Sequence, residues 1–390
     1  MKTATNNSRS YNRSIQFILL VGLSGVFCAC GSSSSSGPPP PPPPATEYLF
    51  TAANNSVGTY KIDTSTGALT YLSYVAGNHQ GFGIAANPGT TFLYADDEDN
   101  GGIDAFSIGA SGALTAVSGS PFPMPSGWSV PYLDSLAIDP AGKFLYAPDF
   151  PSNVIAGFTI NSSTGVLSPI SGSPFAAGQG PQEALVHSSG KFLYVSDHND
   201  PQGSISAFTI DASTGILAPI SGSPFPVGAS LPAAGLATDP SGRFLFVAVP
   251  YDNYIGAFTI DATTGVLTPV PGSPFIPGLN GRFPIIYSMA ITPSGKYLYA
   301  LGSLDASLYA FTIDPNSGVL TPIAGSPFNF PVTPFFSGLQ VDPSGKFLYV
   351  GIETGSLGAM DIDETTGAVS LDSAQTTYAY GPTFAIIKSP

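Results

Sequence analysis

The chain has 390 residues, of which only 9% are charged: 11 Lys or Arg against 25 Asp or Glu, for a formal net charge of −14. Gly and Pro number 45 and 39, Phe and Tyr 26 and 18, and there are two Cys and one Trp. Scarce charged helix formers exclude coiled coils, the aromatic content excludes wholesale disorder, two Cys exclude a disulfide scaffold, and few cations exclude nucleic acid as a partner. What remains is a large, turn-rich, aromatic-rich all-β protein.

At the start, Lys2, Arg9 and Arg13 form a basic region ahead of the apolar stretch Ile15 to Phe27. That stretch is too short for a comfortable membrane span. It ends in Phe27-Cys28-Ala29-Cys30-Gly31. A small residue before a Cys, followed by Gly-Ser, resembles a bacterial lipoprotein box with Cys30 as the lipidated residue. Residues 1–29 are therefore expected to be a lipoprotein signal peptide, with an ordinary secretory signal as the alternative. Ser32 to Ser36 and then Pro38 to Pro44 follow, flexible chain and then a stiff extended spacer. Residues 30–46 read as a Ser/Pro-rich tether holding a folded domain off a membrane. Gly31 stands where an Asp would retain the protein at the inner membrane. The expected location is the cell envelope, lipid-anchored at the outer membrane or periplasmic face.

Residues 47–390 are a repeat. A Phe-Leu-Tyr-like strand recurs at Tyr48, Phe92, Phe144, Phe192, Phe244, Tyr297 and Phe347, a period of roughly 50 residues. Turns such as Asp139-Pro140-Ala141-Gly142 and Asp342-Pro343-Ser344-Gly345 precede it, with Pro presetting φ and Gly supplying the positive-φ position. An alternating strand ending Phe-Thr-Ile follows, as at Ala207 to Ile210. Next comes a hairpin with Gly67, Gly112, Gly165, Gly215, Gly265, Gly318 or Gly367 at its apex. A fourth strand runs into Gly-Ser-Pro-Phe, as at Gly172 to Phe175, and a short apolar strand closes each cycle. Four strands per period without a helical segment predict a seven-bladed β-propeller of four antiparallel strands per blade. The final strand, Phe384 to Ile387, matches an innermost strand that lacks a following Phe-Leu-Tyr partner. It is expected to complete the first blade beside Tyr48-Leu49-Phe50 and close the ring.

The cycle Pro-Ser-Gly-Lys-Phe-Leu-Tyr-Val, then Ala-Phe-Thr-Ile-Asp-x-x-Thr-Gly-x-Leu, resembles the lactonase family of seven-bladed propellers. That family includes the propeller-type 6-phosphogluconolactonase and carboxymuconate cyclase. The resemblance implies lactone-ring hydrolysis without a cofactor. It also implies an Arg-His pair entering an innermost strand and an Asn-Glu pair ending the next. Here the matching blade reads Gly180-Pro181-Gln182-Glu183, then Ser196-Asp197-His198. Glu98 keeps the family's acid two blades earlier.

The Pro-Ser-Gly and Thr-Gly turns share one face, here the turn face. The variable loops, Asp96 to Asn100, Asp149 to Pro151, Asp197 to Asp200, Tyr251 to Tyr254 and Ser303 to Asp305, share the other. Functional residues favour such loops on a rigid scaffold, which places a site at the loop-face mouth of the central channel. Lactone hydrolysis needs a base for water and a donor for the developing oxyanion. The candidates are Glu183 or Glu98 as base, His198 as acid or base, and Arg282 as oxyanion partner. Gln182, Asp197, Trp128 and Tyr132 are candidate substrate contacts. With so few Arg, a phosphorylated substrate is disfavoured.

The plainer readings make His198 a solvated loop residue, His187 a replacement for a turn Asp on the opposite face, and Trp128 and Tyr132 a cap on the channel. Asp96-x-Glu98-x-Asn100 partly resembles a calcium loop, but Ser107 stands where a bidentate Glu is needed, so an acidic hairpin is expected and no metal. Two functions remain open. One is an exported lactonase taking a small-molecule lactone. The other is a non-catalytic surface propeller binding a glycan or protein. Either is expected to be a monomer that meets membrane only through its anchor.

Overall fold

A computed structural model describes residues 46–53, 56–76, 83–97, 101–125, 135–228, 232–276, 285–329, 336–352, 356–378 and 383–388. The predicted leader and tether, with Cys30, lie outside the described residues apart from Thr46. Within them the chain is all strand and turn. Seven antiparallel sheets follow one another, each a blade. In blade 4, for example, Pro181–Val186, Phe192–Asp197, Ser204–Ile210 and Leu217–Pro219 run from the axis outwards.

The innermost strands are Thr383–Lys388, Ile84–Ala86, Ala137–Ile138, Pro181–Val186, Leu236–Thr238, Ile286–Ile291 and Phe336–Val341. Each touches the next around a closed circle. Closure is as expected: Thr383–Lys388 pairs with Glu47–Ala53, with Tyr48 opposite Ile387 and Phe50 opposite Ala385. The first blade is thus built from both ends of the domain.

The blades differ at their rims. In blades 2 to 6 the Gly-Ser-Pro-Phe corner turns the chain through a cis Ser–Pro bond. The segment after the corner then pairs back onto the third strand; Phe175, for instance, lies opposite Ile155. The corner Ser accepts from that strand, as Ser173 Oγ does from Gly157 N–H at 2.9 Å. Blades 1 and 7 lack the motif and keep unbroken outer strands, Leu69–Ala76 and Val369–Tyr378.

One contact recurs at all seven blade boundaries. Each apex Gly is left-handed, with φ between 72° and 78°, and a Cβ there would strike the first aromatic of the preceding blade. Gly165 meets Phe92, Gly265 meets Phe192, and Gly67 meets Phe347 across the closing seam. Glycine is required twice over, by dihedral and by space. The Tyr of the same strand then donates to the Gly carbonyl: Tyr94 to Gly165 at 3.0 Å, Tyr194 to Gly265 at 2.9 Å, Tyr349 to Gly67 at 2.9 Å. In blades 1 and 5 the fully buried Phe50 and Phe246 replace that Tyr, opposite Gly112 and Gly318. Phe246→Tyr is expected to add the missing bond and stabilise by about 1 kcal/mol. A urea midpoint at or below wild type would show that the fifth boundary has no room for the hydroxyl.

Candidate active site

Three innermost strands begin irregularly. Pairing shifts between Pro181 and Ala184 in blade 4, between Ile286 and Ser288 in blade 6, and between Phe336 and Gly338 in blade 7. All three shifts lie at the loop-face end, because Pro181, Ile286 and Phe336 oppose the last residues of their partner strands. A bulge re-aims a side chain and commonly sits beside an active site. Here the displaced residues are Gln182 and Glu183 in blade 4 and Tyr287 in blade 6.

Specific hydroxyls and amides support these bulges. Glu183 N–H donates to Ser196 Oγ at 3.1 Å, and Ala184 N–H donates to Ser135 Oγ of blade 3 at 2.8 Å. Backbone donors displaced from the ladder are thereby satisfied. Gly180 N–H donates to Asn153 Oδ1 at 2.7 Å, and Ile285 N–H to Asn253 Oδ1 at 3.1 Å. Asn153 and Asn253 are themselves left-handed, with φ of 58° and 54°, which Asn tolerates. Ile285 at φ 46° is β-branched and strained, a state that persists only where its surroundings enforce it.

Blade 5 keeps this corner open with Gly235. A Cβ there would collide with the Tyr287 carbonyl oxygen and lie 3.6 Å from Glu183 Oε2. Only a glycine lets blades 4 and 6 approach across blade 5. At its other end Tyr287 meets blade 5: its hydroxyl donates to the Tyr251 hydroxyl at 3.0 Å, with the rings edge-on at 6.5 Å. Gln182 Oε1 is buried and has no hydrogen-bond partner.

Asp197 is placed beneath this surface rather than in it. It is fully buried, and its carboxylate accepts from Ser204 Oγ at 2.8 Å and Ser206 Oγ at 2.9 Å. Gly178 packs directly on that carboxylate. Burial pushes its carboxyl up to about 6 against the pull of the two hydroxyls. A pKa raised on folding adds stability below about pH 4 that is lost as pH rises through about 6. Ionised at neutral pH, Asp197 therefore costs on the order of 3 kcal/mol. Asp197→Asn is expected to raise the urea midpoint at pH 7.5 and to flatten the pH dependence between pH 4 and 7. A midpoint lowered equally at pH 5 and 7.5 would contradict this.

His198 lies at the same end of blade 4, its N–H donating to Gly180 O at 2.8 Å and its ring against Phe150 at 5.8 Å. His187 does replace a turn Asp on the turn face. Its Nε2 meets Gly242 O at 2.7 Å, and its Nδ1 meets Ser189 Oγ at 2.7 Å. Asp96 is fully buried and accepts from Gly83 N–H at 3.0 Å. Glu98, Arg282, Trp128 and Tyr132 lie outside the described residues. The described cations, Lys61, Lys143, Lys191, Arg243, Lys296, Lys346 and Lys388, all occupy strand ends or turns on the turn face. Among the described residues the loop face carries Glu183 and loop carboxylates such as Asp200, Asp252 and Asp305, with neutral amide and phenol groups and no Lys or Arg. Tyr287, Tyr251, Ser135 and Asn253 were not singled out as site residues from the sequence. A signal existed: an Asn precedes the third strand of blades 3 and 5 alike, at Asn153 and Asn253.

Known proteins point the same way. Residues 130–335 match the family model described as lactonase, 7-bladed beta-propeller. A 6-phosphogluconolactonase of Pectobacterium carotovorum subsp. carotovorum (strain PC1) is 29% identical over 93 residues, 23% of this chain and only 28% of that protein's length. Two solved structures share the fold. A candidate 6-phosphogluconolactonase of Bacteroides uniformis ATCC 8492 is 17% identical, with a TM-score of 0.74 over 88% of this chain and 99% of its own. The periplasmic gluconolactonase of Pseudomonas aeruginosa is 15% identical, with a TM-score of 0.71 over 89% of this chain and 100% of its own. Seven blades, the closing strand and the family match together make this chain a member of the lactonase family of seven-bladed β-propellers.

Proposed function

We propose that the protein hydrolyses uncharged lactones at the loop-face mouth of its channel, with Glu183 as the general base. The observation that carries this reading is the blade 4 bulge, which presents Glu183 beside Gly235 on hydroxyl supports from two blades. A carboxylate can take the proton of an attacking water, and the neutral polar groups around it suit a hydroxylated, uncharged ring. The described mouth carries no cation to clamp a phosphate, so a phosphorylated lactone is a poor substrate. Purified protein assayed on a panel of γ- and δ-lactones tests this; the absence of turnover on every member would refute it.

The second reading, a surface propeller that binds a glycan or protein, draws on blade 1. A register shift between Thr59 and Tyr60 sets Tyr71 opposite Tyr60 and Tyr74 opposite Gly58, so both project on one side. Both are exposed, on an outer strand without charge. Glycan-array binding lost on Tyr74→Ala, without lactone turnover, would favour it.

Export and anchoring belong to the same proposal and rest on the leader and Cys30. The full chain is expected in the membrane fraction, and Cys30→Ala should release it.

A further inference from the structure

Lactone hydrolysis needs a donor as well as a base. The oxygen of the carbonyl under attack gains a full negative charge, and a group must already be aimed at it. Every described Lys and Arg lies on the turn face, so none of them can be that donor.

We propose that Tyr251 is that donor and that Tyr287 positions it. This rests on the hydrolase reading above. Tyr251 stands on the loop-face loop of blade 5, and its ring is half exposed. Its hydroxyl oxygen accepts from the Tyr287 hydroxyl at 3.0 Å, which leaves the Tyr251 proton free to be given outwards. A hydroxyl that accepts one hydrogen bond donates a stronger one. Tyr287 in turn is fixed by its backbone. It is the displaced residue of the blade 6 bulge, next to strained Ile285, whose N–H is held by Asn253 two residues after Tyr251. One short loop of blade 5 thus holds both the phenol and the entry to the strand that orients it. Burial pushes the Tyr287 phenol far above its usual range, so it remains an O–H donor throughout the working pH range.

The step balances without any further reagent. Glu183 takes a proton from water as the water oxygen bonds to the lactone carbonyl carbon. The carbonyl electron pair moves to its oxygen, which accepts from Tyr251 O–H. That pair then reforms the C=O bond as the ring C–O bond breaks. The leaving ring oxygen takes the proton back from Glu183. One water is consumed and one hydroxy acid leaves.

The test is steady-state hydrolysis of a neutral δ-lactone by wild type, Tyr251→Phe, Tyr287→Phe and the double variant, with melting curves as a folding control. Tyr251→Phe is expected to lower kcat about 100-fold with KM nearly unchanged. Tyr287→Phe is expected to lower kcat about tenfold and to add nothing in the Tyr251→Phe background, as a positioning residue must. A Tyr251→Phe protein with kcat within about twofold of wild type, or with only KM raised, overturns the donor role and leaves the hydrolase reading intact. Additive losses in the double variant overturn the positioning role of Tyr287. A wild type inactive on all lactones removes the hydrolase reading and the donor role with it.

Discussion

Deleting residues 380–390 should cost the domain its cooperative fold. The deletion removes Thr383–Lys388, the innermost strand of blade 1, and leaves Glu47–Ala53 with an open edge on the channel side. Ala385 and Ile387 are buried with Tyr48, Phe50 and Leu93, and Ile386 packs beside Leu49 and Tyr349. Losing these side chains at about 1.5–3 kcal/mol for each large one, with a row of ladder bonds, approaches the whole stability of a typical domain. An unpaired inner edge is also a template for aggregation. The truncated chain is expected to elute as aggregate and to unfold without a sharp urea transition. Tyr349→Phe, which loses only the hydroxyl donated to Gly67 across the same seam, should fold and lose about 1 kcal/mol. A truncated chain with the wild-type urea midpoint would mean that the ring does not depend on this strand.

Glu183→Gln should abolish catalysis while sparing the fold. The substitution preserves shape and leaves the N–H of residue 183 on Ser196 and the N–H of Ala184 on Ser135. What it removes is the proton acceptor. Loss of a general base costs about 10²–10⁴-fold in rate, so kcat should fall by that much with KM and the melting midpoint little changed. His198→Ala provides the contrast. Its ring rests on Phe150, so its removal is expected to lower kcat less than about tenfold. Equal losses from both substitutions would point to a shared acid–base pair at blade 4. An unchanged kcat in Glu183→Gln would dismiss Glu183 as the base.

Most of the fold could be read from the sequence because the propeller writes its turns into every repeat. The apex glycines need both positive φ and the absence of a Cβ, so they stand in register seven times. The closing strand was readable for a related reason: Phe384 to Ile387 repeats the inner-strand pattern, and it pairs with the Tyr48-Leu49-Phe50 strand. The site was only partly readable. Gln182 and Glu183 stood out because they occupy positions where the family carries Arg and His. Tyr287 did not, since a bulge adds one residue without altering an apolar run, and Ile285-Ile286-Tyr287 reads as ordinary strand. Asp197 reads as a loop acid, yet its neighbours Ser204 and Ser206, which turn it inward, sit on a different strand. Proximity of that kind is set by sheet register and cannot be counted along the chain.

The same geometry explains the unusual composition. Strand faces take Phe, Leu, Ile, Val and Tyr, and the turns take Gly, Pro, Ser, Thr and Asp. Exposed turn carboxylates such as Asp211 are held well below their usual range by the hydroxyls and N–H groups of Ser213 and Thr214, so these anions have a structural use. The described cations collect on the turn face, and the described mouth is left acidic and neutral.

The central claim, an uncharged-lactone hydrolase at that mouth, is tested most directly by one comparison. It sets kcat/KM for a neutral hydroxylated δ-lactone against kcat/KM for the same lactone carrying a phosphate ester. The arrangement of Glu183, Gln182 and the tyrosine pair predicts a preference of at least about 100-fold for the neutral ring, since a phosphate left unpaired where no described Lys or Arg stands costs several kcal/mol. Equal or faster turnover of the phosphate ester would contradict it.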